Sequence, residues 1–293
     1  MKDRLFVALQ YVLPQHGLSR LIYRATRVRA TWFKDAFIRV FLRLFDVDLS
    51  DSNGRPPDDF ETFNAFFTRS LVDGARPLPN DPAAIASPVD GTVSQAGAVA
   101  QGTLFQAKGF RYGLADLLGD PPDGIGAAAE LADSVFATIY LAPYNYHRIH
   151  MPVAGTLRAM RYVPGRLFSV NGATVAAVPR LFARNERVVC LFDTSAGPLA
   201  MVLVGALNVG SIETVWAGEV APAKVRAPRE WRYEGEAVTL ARGTEMGRFN
   251  MGSTVILVGP GAHSSLDAAL QTGRTVRVGE AIGALGVQAT EST

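Results

Sequence analysis

One cysteine, Cys190, stands in a chain of 293 residues, so no intrachain disulfide can form. With only four histidines besides, a cysteine-rich zinc site is excluded. Cys190 lies in the apolar run Val188-Val189-Cys190-Leu191-Phe192 and reads as a buried strand residue. The common catalytic signatures are missing: no Gly-x-Ser-x-Gly elbow, no Walker loop and no His-Glu-x-x-His. Long clean apolar runs are missing too. Thr194 to Ile212 carries no charge, but Gly197, Pro198, Gly205, Asn208 and Gly210 break it, which predicts strands with a turn. Met1 to Leu13 is a short apolar run with Asp3 in its charged part, and Pro14-Gln15-His16 offers no small-residue cleavage site. No spanning helix is expected, and membrane contact would be peripheral. Charge is sparse at 19% against 48% hydrophobic residues, which excludes a disordered chain and supports a large core. What is plentiful is glycine (28) and proline (17), the residues of turns.

The net charge of +2 hides an asymmetry. Residues 1–50 hold nine Lys or Arg (Lys2, Arg4, Arg20, Arg24, Arg27, Arg29, Lys34, Arg39, Arg43) against Asp3, Asp35, Asp46 and Asp48. The remainder is slightly acidic, so an anionic partner is expected at the N-terminal end. No nucleic-acid partner is expected. Three helical stripes occupy this basic region: Leu5, Phe6, Leu9, Val12 and Leu13, stopped by Pro14; Leu18, Leu21, Ile22, Ala25 and Val28, with Arg20, Arg24 and Arg27 opposite; and Phe33, Phe37, Val40, Phe41 and Leu44. Either these apolar faces pack onto the main domain, or at least one helix lies in a lipid interface. Each basic residue near an anionic bilayer contributes about 1 kcal/mol, enough in sum for reversible docking.

A short helical piece is expected over Asp58 to Leu71, after Pro56-Pro57. From about Ile85 the pattern turns to strands: Ser134–Leu141, Arg187–Asp193, Leu199–Val204, Ile212–Val220, Glu236–Leu240 and Ser253–Val258. Gly119 to Ala129 reads as a mobile surface loop. Strands without regular intervening helices predict an α+β chain: N-terminal amphipathic helices (1–57), then a mainly antiparallel β catalytic domain (58–293).

Four segments carry candidate chemistry. Ser87-Pro88-Val89-Asp90-Gly91 enters a strand, and alone Asp90 is a turn aspartate. Tyr144-Asn145-Tyr146-His147-Arg148-Ile149-His150-Met151-Pro152 is aromatic and basic; its two histidines lack an acidic neighbour, which argues against a metal site. Phe63-Asn64-Ala65-Phe66-Phe67-Thr68-Arg69 reads alone as helix packing. Gly247-Arg248-Phe249-Asn250-Met251-Gly252-Ser253-Thr254-Val255 reads alone as a turn opening a strand.

Together, and in order, these segments resemble the phosphatidylserine decarboxylases, members of the pyruvoyl-dependent decarboxylases. That family's processing site is Leu-Gly-Ser-Thr, and this chain has Met251-Gly252-Ser253-Thr254. Arg242 to Phe249, Gln106-Ala107-Lys108-Gly109 and Phe182 to Arg187 fit the family pattern as well. Met251 in place of Leu is a volume-conserving apolar swap. The resemblance implies self-cleavage between Gly252 and Ser253 into a large chain, 1–252, and a small chain, 253–293, with Ser253 becoming a pyruvoyl group. Gly252, lacking a Cβ, is expected to take a strained backbone that opens its carbonyl to attack. A serine hydroxyl needs a base, a role the family gives to a His oriented by an Asp; these map onto His147 and Asp90. The pyruvoyl ketone is then expected to form a Schiff base with phosphatidylserine and accept the electrons released with carbon dioxide. His147 is the expected proton donor afterwards. The expected setting is peripheral to the cell membrane, on its cytoplasmic face, with phosphatidylserine in an anionic membrane as partner and a homo-oligomer of the two-chain unit allowed. Deletion of residues 1–45 is expected to leave self-cleavage intact. A Ser-His-Asp lipid hydrolase that keeps Ser253, and a non-catalytic membrane-binding β module, are the competing readings.

Overall fold

The computed structural model describes the chain except residues 1, 121–125, 208–210, 223–224, 226, 235–237, 262 and 287–293. Four helices come first: α1 (Lys2–Val12), α2 (Gln15–Ala25), α3 (Thr31–Leu44) and α4 (Phe63–Phe67). Strands follow: β1 (Ala84–Ala86), β2 (Gly91–Ala98), β3 (Thr103–Phe105), β4 (Arg111–Gly113), β5 (Val135–Tyr140), β6 (Arg148–His150), β7 (Gly155–Val163), β8 (Arg187–Thr194) and β9 (Gly197–Val204). The last set is β10 (Ile212–Thr214), β11 (Gly218–Ala221), β12 (Arg229–Arg232), β13 (Thr239–Leu240), β14 (Glu245–Phe249), β15 (Thr254–Val258), β16 (Ser265–Leu266), β17 (Thr275–Val276) and β18 (Ala281–Ala284). The paired strands are antiparallel, as the α+β expectation requires.

The main sheet runs β12-β7-β8-β9-β15-β5-β2-β17, with β13 also on β7. Its middle strand, β15, is Thr-Val-Ile-Leu-Val, buried along its whole length between β5 and β9. A strand covered on both faces needs such a continuous β-branched and aliphatic run. A smaller sheet runs β11-β10-β14-β6. Asn250 to Ser253 is therefore the passage from the smaller sheet (β14) into the centre of the larger one (β15).

The N-terminal helices are oriented opposite to ordinary packing. On α1 and α2 the side chains buried against the β domain include Gln10, Gln15 and Ser19. Gln10 Oε1 accepts from the Ser169 amide (2.7 Å) and Gln15 Oε1 from the Leu167 amide (2.9 Å), while Gln10 Nε2 donates to Thr174 (3.2 Å). The apolar residues Leu9, Val12, Leu21 (64% exposed) and Trp32 (76% exposed) face outward. α3 seats a broader apolar face, placing Ile38 and Phe41 with Phe60, Phe63, Phe66 and Phe67 in a second small core, while α1 contributes Val7 to the main core. That core spans residues on both sides of position 57. Among the described residues, no helix is long and apolar enough to cross a membrane.

Several expectations are corrected. The helix expected over Asp58 to Leu71 is confined to α4, because Thr62 is extended and caps it, accepting from the Ala65 amide at 3.0 Å. The strand expected over Ile212 to Val220 is a hairpin, β10 and β11, folded at Val215–Ala217. In the expected loop from Gly119 to Ala129, residues 121–125 lie outside the described residues. The rest is tied down, since Asp120 accepts from the Ala128 amide (2.8 Å) and pairs with Arg161 (2.7 Å). Of Glu236–Leu240, residues 236 and 237 lie outside the described residues, and β13 covers the end. The uncharged run from Thr194 forms β9 and the start of β10, with 208–210 outside the described residues.

Candidate active site

Ser253 enters β15 with its side chain 1% exposed. Its carbonyl accepts from the Leu141 amide at 2.7 Å, which anchors it to β5's end. Its Oγ makes no hydrogen bond among the described residues. A buried hydroxyl without a partner is costly, so such a group marks a reactive or strained position.

Gly252 lies against the imidazole of His147. A Cβ built on Gly252 would fall 2.0 Å from His147 Nε2, so no other residue fits there without displacing the ring. Gly252 is not among the glycines of positive φ. The expected backbone strain is thus corrected: glycine is required here for space, not for conformation. His147 is held by its place before β6, where its carbonyl accepts from the Phe249 amide (3.0 Å), and by Phe67, whose ring lies 4.0 Å away. The ring is fully buried, and neither nitrogen makes a hydrogen bond among the described residues. Burial, with the charge of Arg69 next in weight, pushes its pKa down to about 3; the nearby Asn145 backbone opposes this only weakly. His147 is therefore neutral at physiological pH, with a nitrogen free to take a proton.

Asp90 is not joined to it. Its carboxylate is held by Arg76, through Nε (3.1 Å) and Nη2 (2.7 Å), and accepts from the Val278 amide (2.8 Å). Arg76 also reaches Asp51 at 2.7 Å. Burial lowers the pKa of His150; its hydrogen bond to the Gly243 carbonyl opposes this, followed by the charge of Glu245 and, least, that of Asp90. His150 Nδ1 donates to the Gly243 carbonyl (2.8 Å), so Nε2 of the neutral ring accepts from the Tyr146 hydroxyl (3.0 Å). The structure thus brings Gly252, Ser253 and His147 together and leaves Asp90 in a neighbouring ionic cluster with Arg76.

Two cavities meet this region. One, of about 380 Å³, is lined by Phe37, Phe41, Phe63, Phe67, Met251 and Gly252, with the exposed Val40 and Leu44 also on its wall. It is an apolar slot from the surface of α3 to the Gly252–Ser253 bond. The other, about 190 Å³, is polar and includes Arg69, Arg76, Asp90 and Tyr146. Arg69, 4% exposed, has a buried Nε without a partner. Neither Arg69 nor Arg76 was singled out in the sequence as a site residue. Arg69 stood in a quoted motif, but nothing local said that it would face His147.

Asn250 was missed as well. It fixes the loop upstream of the bond: its amide donates to the Ser211 carbonyl (2.9 Å) and its carbonyl accepts from Asn64 Nδ2 (2.6 Å). Its side-chain amide reaches Ser211 Oγ (2.5 Å), Glu213 (3.2 Å) and Glu219 (3.3 Å).

A family model described as phosphatidylserine decarboxylase matches residues 63–284, and one described as PSD matches residues 5–46. Among curated proteins, the chain is similar to the phosphatidylserine decarboxylase proenzyme of Methylococcus capsulatus, 53% identical over 281 residues, covering 96% of each chain. It is 54% identical to the proenzyme of the same description from Alkalilimnicola ehrlichii over 279 residues, covering 94% of this chain and 96% of that one. For the Pseudomonas aeruginosa proenzyme the identity is 53% over 285 residues, covering 96% and 97%.

Proposed function

The chain belongs to the phosphatidylserine decarboxylase family, and from that premise we propose how its own residues carry the activity. It decarboxylates phosphatidylserine to phosphatidylethanolamine and carbon dioxide, and it is made as a proenzyme. The cut falls between Gly252 and Ser253, giving a large chain of residues 1–252 and a small chain of residues 253–293, and Ser253 becomes a pyruvoyl group. The observation that carries this reading is that Ser253 Oγ and both His147 nitrogens are buried without a hydrogen-bond partner among the described residues, with His147 Nε2 against Gly252, the neighbour of Ser253.

His147 takes the proton of Ser253 Oγ as that oxygen bonds to the Gly252 carbonyl carbon. The Gly252–Ser253 C–N bond breaks and its nitrogen is protonated, leaving an ester. Loss of the Ser253 α-proton expels the Gly252 carboxylate, and water then replaces nitrogen as ammonia departs. The residues fit the group, since its precursor is enclosed, unpaired and next to a base. The pyruvoyl group supplies a ketone that captures the substrate amine and accepts the electrons set free by carbon dioxide. His147, desolvated and beside the cationic Arg69, then holds and returns a proton at the product carbon. A Ser-His-Asp hydrolase would need a carboxylate on His147, whereas Asp90 is occupied by Arg76. Asp90 serves as an electrostatic support for His150 and Arg69 in this reading.

The substrate's acyl chains take the apolar slot beneath α3, whose wall reaches the surface at Val40 and Leu44. Residues 1–57 form the membrane-associating region: the outward apolar residues of α1 to α3 enter the bilayer boundary, with Arg20, Arg24, Arg39 and Arg43 at anionic headgroups. Residues 58–293 form the catalytic region.

Intact-mass analysis of purified protein tests the reading. Two chains are expected, the smaller beginning with a blocked residue, and Ser253→Ala should stay whole. A folded wild-type chain that remains at 293 residues would overturn it.

A further inference from the structure

The bond proposed to be cut is stretched between two anchors. Downstream, Ser253 is tied to Leu141, and Thr254 opens the central ladder between Tyr140 and Val204. Upstream, Asn250 is held through its amide, its carbonyl and its side chain. Only Met251 and Gly252 lie between them. The position of the Gly252 carbonyl against His147 is therefore set by where Asn250 is fixed.

Two of the partners that fix Asn250, Asn64 and Glu219, lead back to the end of α2. Asn64, which donates to the Asn250 carbonyl, is itself held through its backbone amide by the Thr26 carbonyl (2.8 Å). Glu219, on β11, is held by the Tyr23 hydroxyl (2.8 Å) and by an ion pair with Arg27. Arg27 lies over the Tyr23 ring, 3.7 Å from its centroid, and its Nη2 also reaches Ser211 Oγ at 3.4 Å. Glu213, the other carboxylate at Asn250, is paired with Arg248 at 2.8 Å. Ser211, Glu213 and Glu219 have no other connection to the N-terminal helices among these contacts, so Tyr23 and Arg27 are the link.

We propose that Asn250 and Glu219 are positioning residues for self-cleavage, and that through Tyr23 and Arg27 they make the cut depend on α2 being seated on the β domain. This rests on the reading of Gly252–Ser253 as the bond cut. In-line attack needs the hydroxyl and carbonyl within about 3–3.5 Å, and a displacement near 1 Å slows such a step about 100-fold. Freeing Asn250 lets Gly252 drift from His147 by that order. The helices that turn apolar residues outward are then also the elements that license formation of the reactive ketone. A chain whose N-terminal region is unseated stays an inert serine precursor.

The test follows self-cleavage after pulsed cell-free synthesis, by gel separation of the whole and cut chains. Arg27→Met and Asn250→Ala are expected to slow the cut at least tenfold, and Arg27→Lys to restore it to within about threefold of wild type. In a Ser253→Ala background, Arg27→Met should melt within about 4 °C of its parent, separating positioning from loss of fold. Asn250→Asp, nearly isosteric, places a third carboxylate beside Glu213 and Glu219. The charged and titratable groups facing it are those two, Arg248 from β14, and Arg27 and Tyr23 from α2. The flanking Glu213 and Glu219 raise its pKa above the ordinary ~3.9, so the variant's rate relative to wild type is expected to fall as pH rises from about 5 to 8 and the new carboxylate ionises. That profile decides the matter should Arg27→Met fail to fold. Cutting at the wild-type rate by these variants, or a pH-independent ratio for Asn250→Asp, overturns the proposal. A wild-type chain that is never cut would overturn the assignment of Gly252–Ser253 instead.

Discussion

At the scale of single residues, the site is defined by what is withheld. Ser253 Oγ and both nitrogens of His147 are buried without partners, which most folded proteins avoid. In the proposed reading the cost is tolerated because these groups are kept for the self-cleavage step. Gly252→Ala would put a methyl group where the imidazole stands. Its self-cleavage is expected to slow at least 100-fold, read as persistence of the whole chain on a gel; a wild-type rate would show that His147 yields at no cost. His147 also makes a prediction about acid. Folded, it stays neutral down to about pH 3, whereas its ordinary value is 6.5. As pH falls below about 6.5 the unfolded chain takes up the proton first, so stability is lost progressively towards pH 3, at about 1.4 kcal/mol per unit. Above pH 6.5 this loss is absent. In the uncut Ser253→Ala background, adding His147→Phe should shrink the drop in melting temperature between pH 7 and 4.5. An unchanged drop would place the acid sensitivity elsewhere.

At the scale of elements, α1 and α2 place glutamine and serine against the domain and leave Leu9, Val12 and Leu21 outside, and α3 exposes Trp32. Hydrogen bonds that Gln10 and Gln15 accept from the Ser169 and Leu167 amides hold the helices, and leave Leu9, Val12 and Leu21 exposed. An apolar face left free on a basic helix fits a lipid boundary. Leu21→Glu and Trp32→Glu are each expected to weaken co-sedimentation with anionic vesicles about tenfold or more, since each loses the burial of a large apolar side chain. Binding equal to wild type would remove this surface from contact with lipid. The same helices reach the site: Thr26 and Arg27 hold the partners of Asn250, and Phe37 and Phe41 wall the apolar slot. The proposal for Asn250 therefore predicts that deleting residues 1–45 slows self-cleavage, against the expectation from the sequence that the cut stays intact.

At the scale of the whole molecule, the two sheets matter because the chain crosses between them at Asn250 to Ser253, which holds the bond proposed to be cut. β14 ends in the smaller sheet and β15 begins in the middle of the larger, so Asn250 to Ser253 is held at both ends by different ladders. A loop with free ends would relax; this one keeps its carbonyl in place. The apolar slot ends at the same crossing, lined there by Met251 and Gly252.

Much of this was legible in the residues alone. The run Thr254–Val258 declared a buried strand, the stripes before residue 45 declared helices, and the ordered motifs around Asp90, His147 and Gly252–Ser253 declared the family and its chemistry. These are local signals, carried by side-chain periodicity and by residue types that few other environments accept. The tertiary structure alone decided who touches whom. It paired Asp90 with Arg76 and not with His147, set Arg69 beside the imidazole, turned the apolar stripes of α1 and α2 outward, and tied Asn250 to α2. Each of those outcomes depends on contacts between segments far apart in sequence, where direction and distance are set by how sheets and helices pack and leave no periodic trace in the chain.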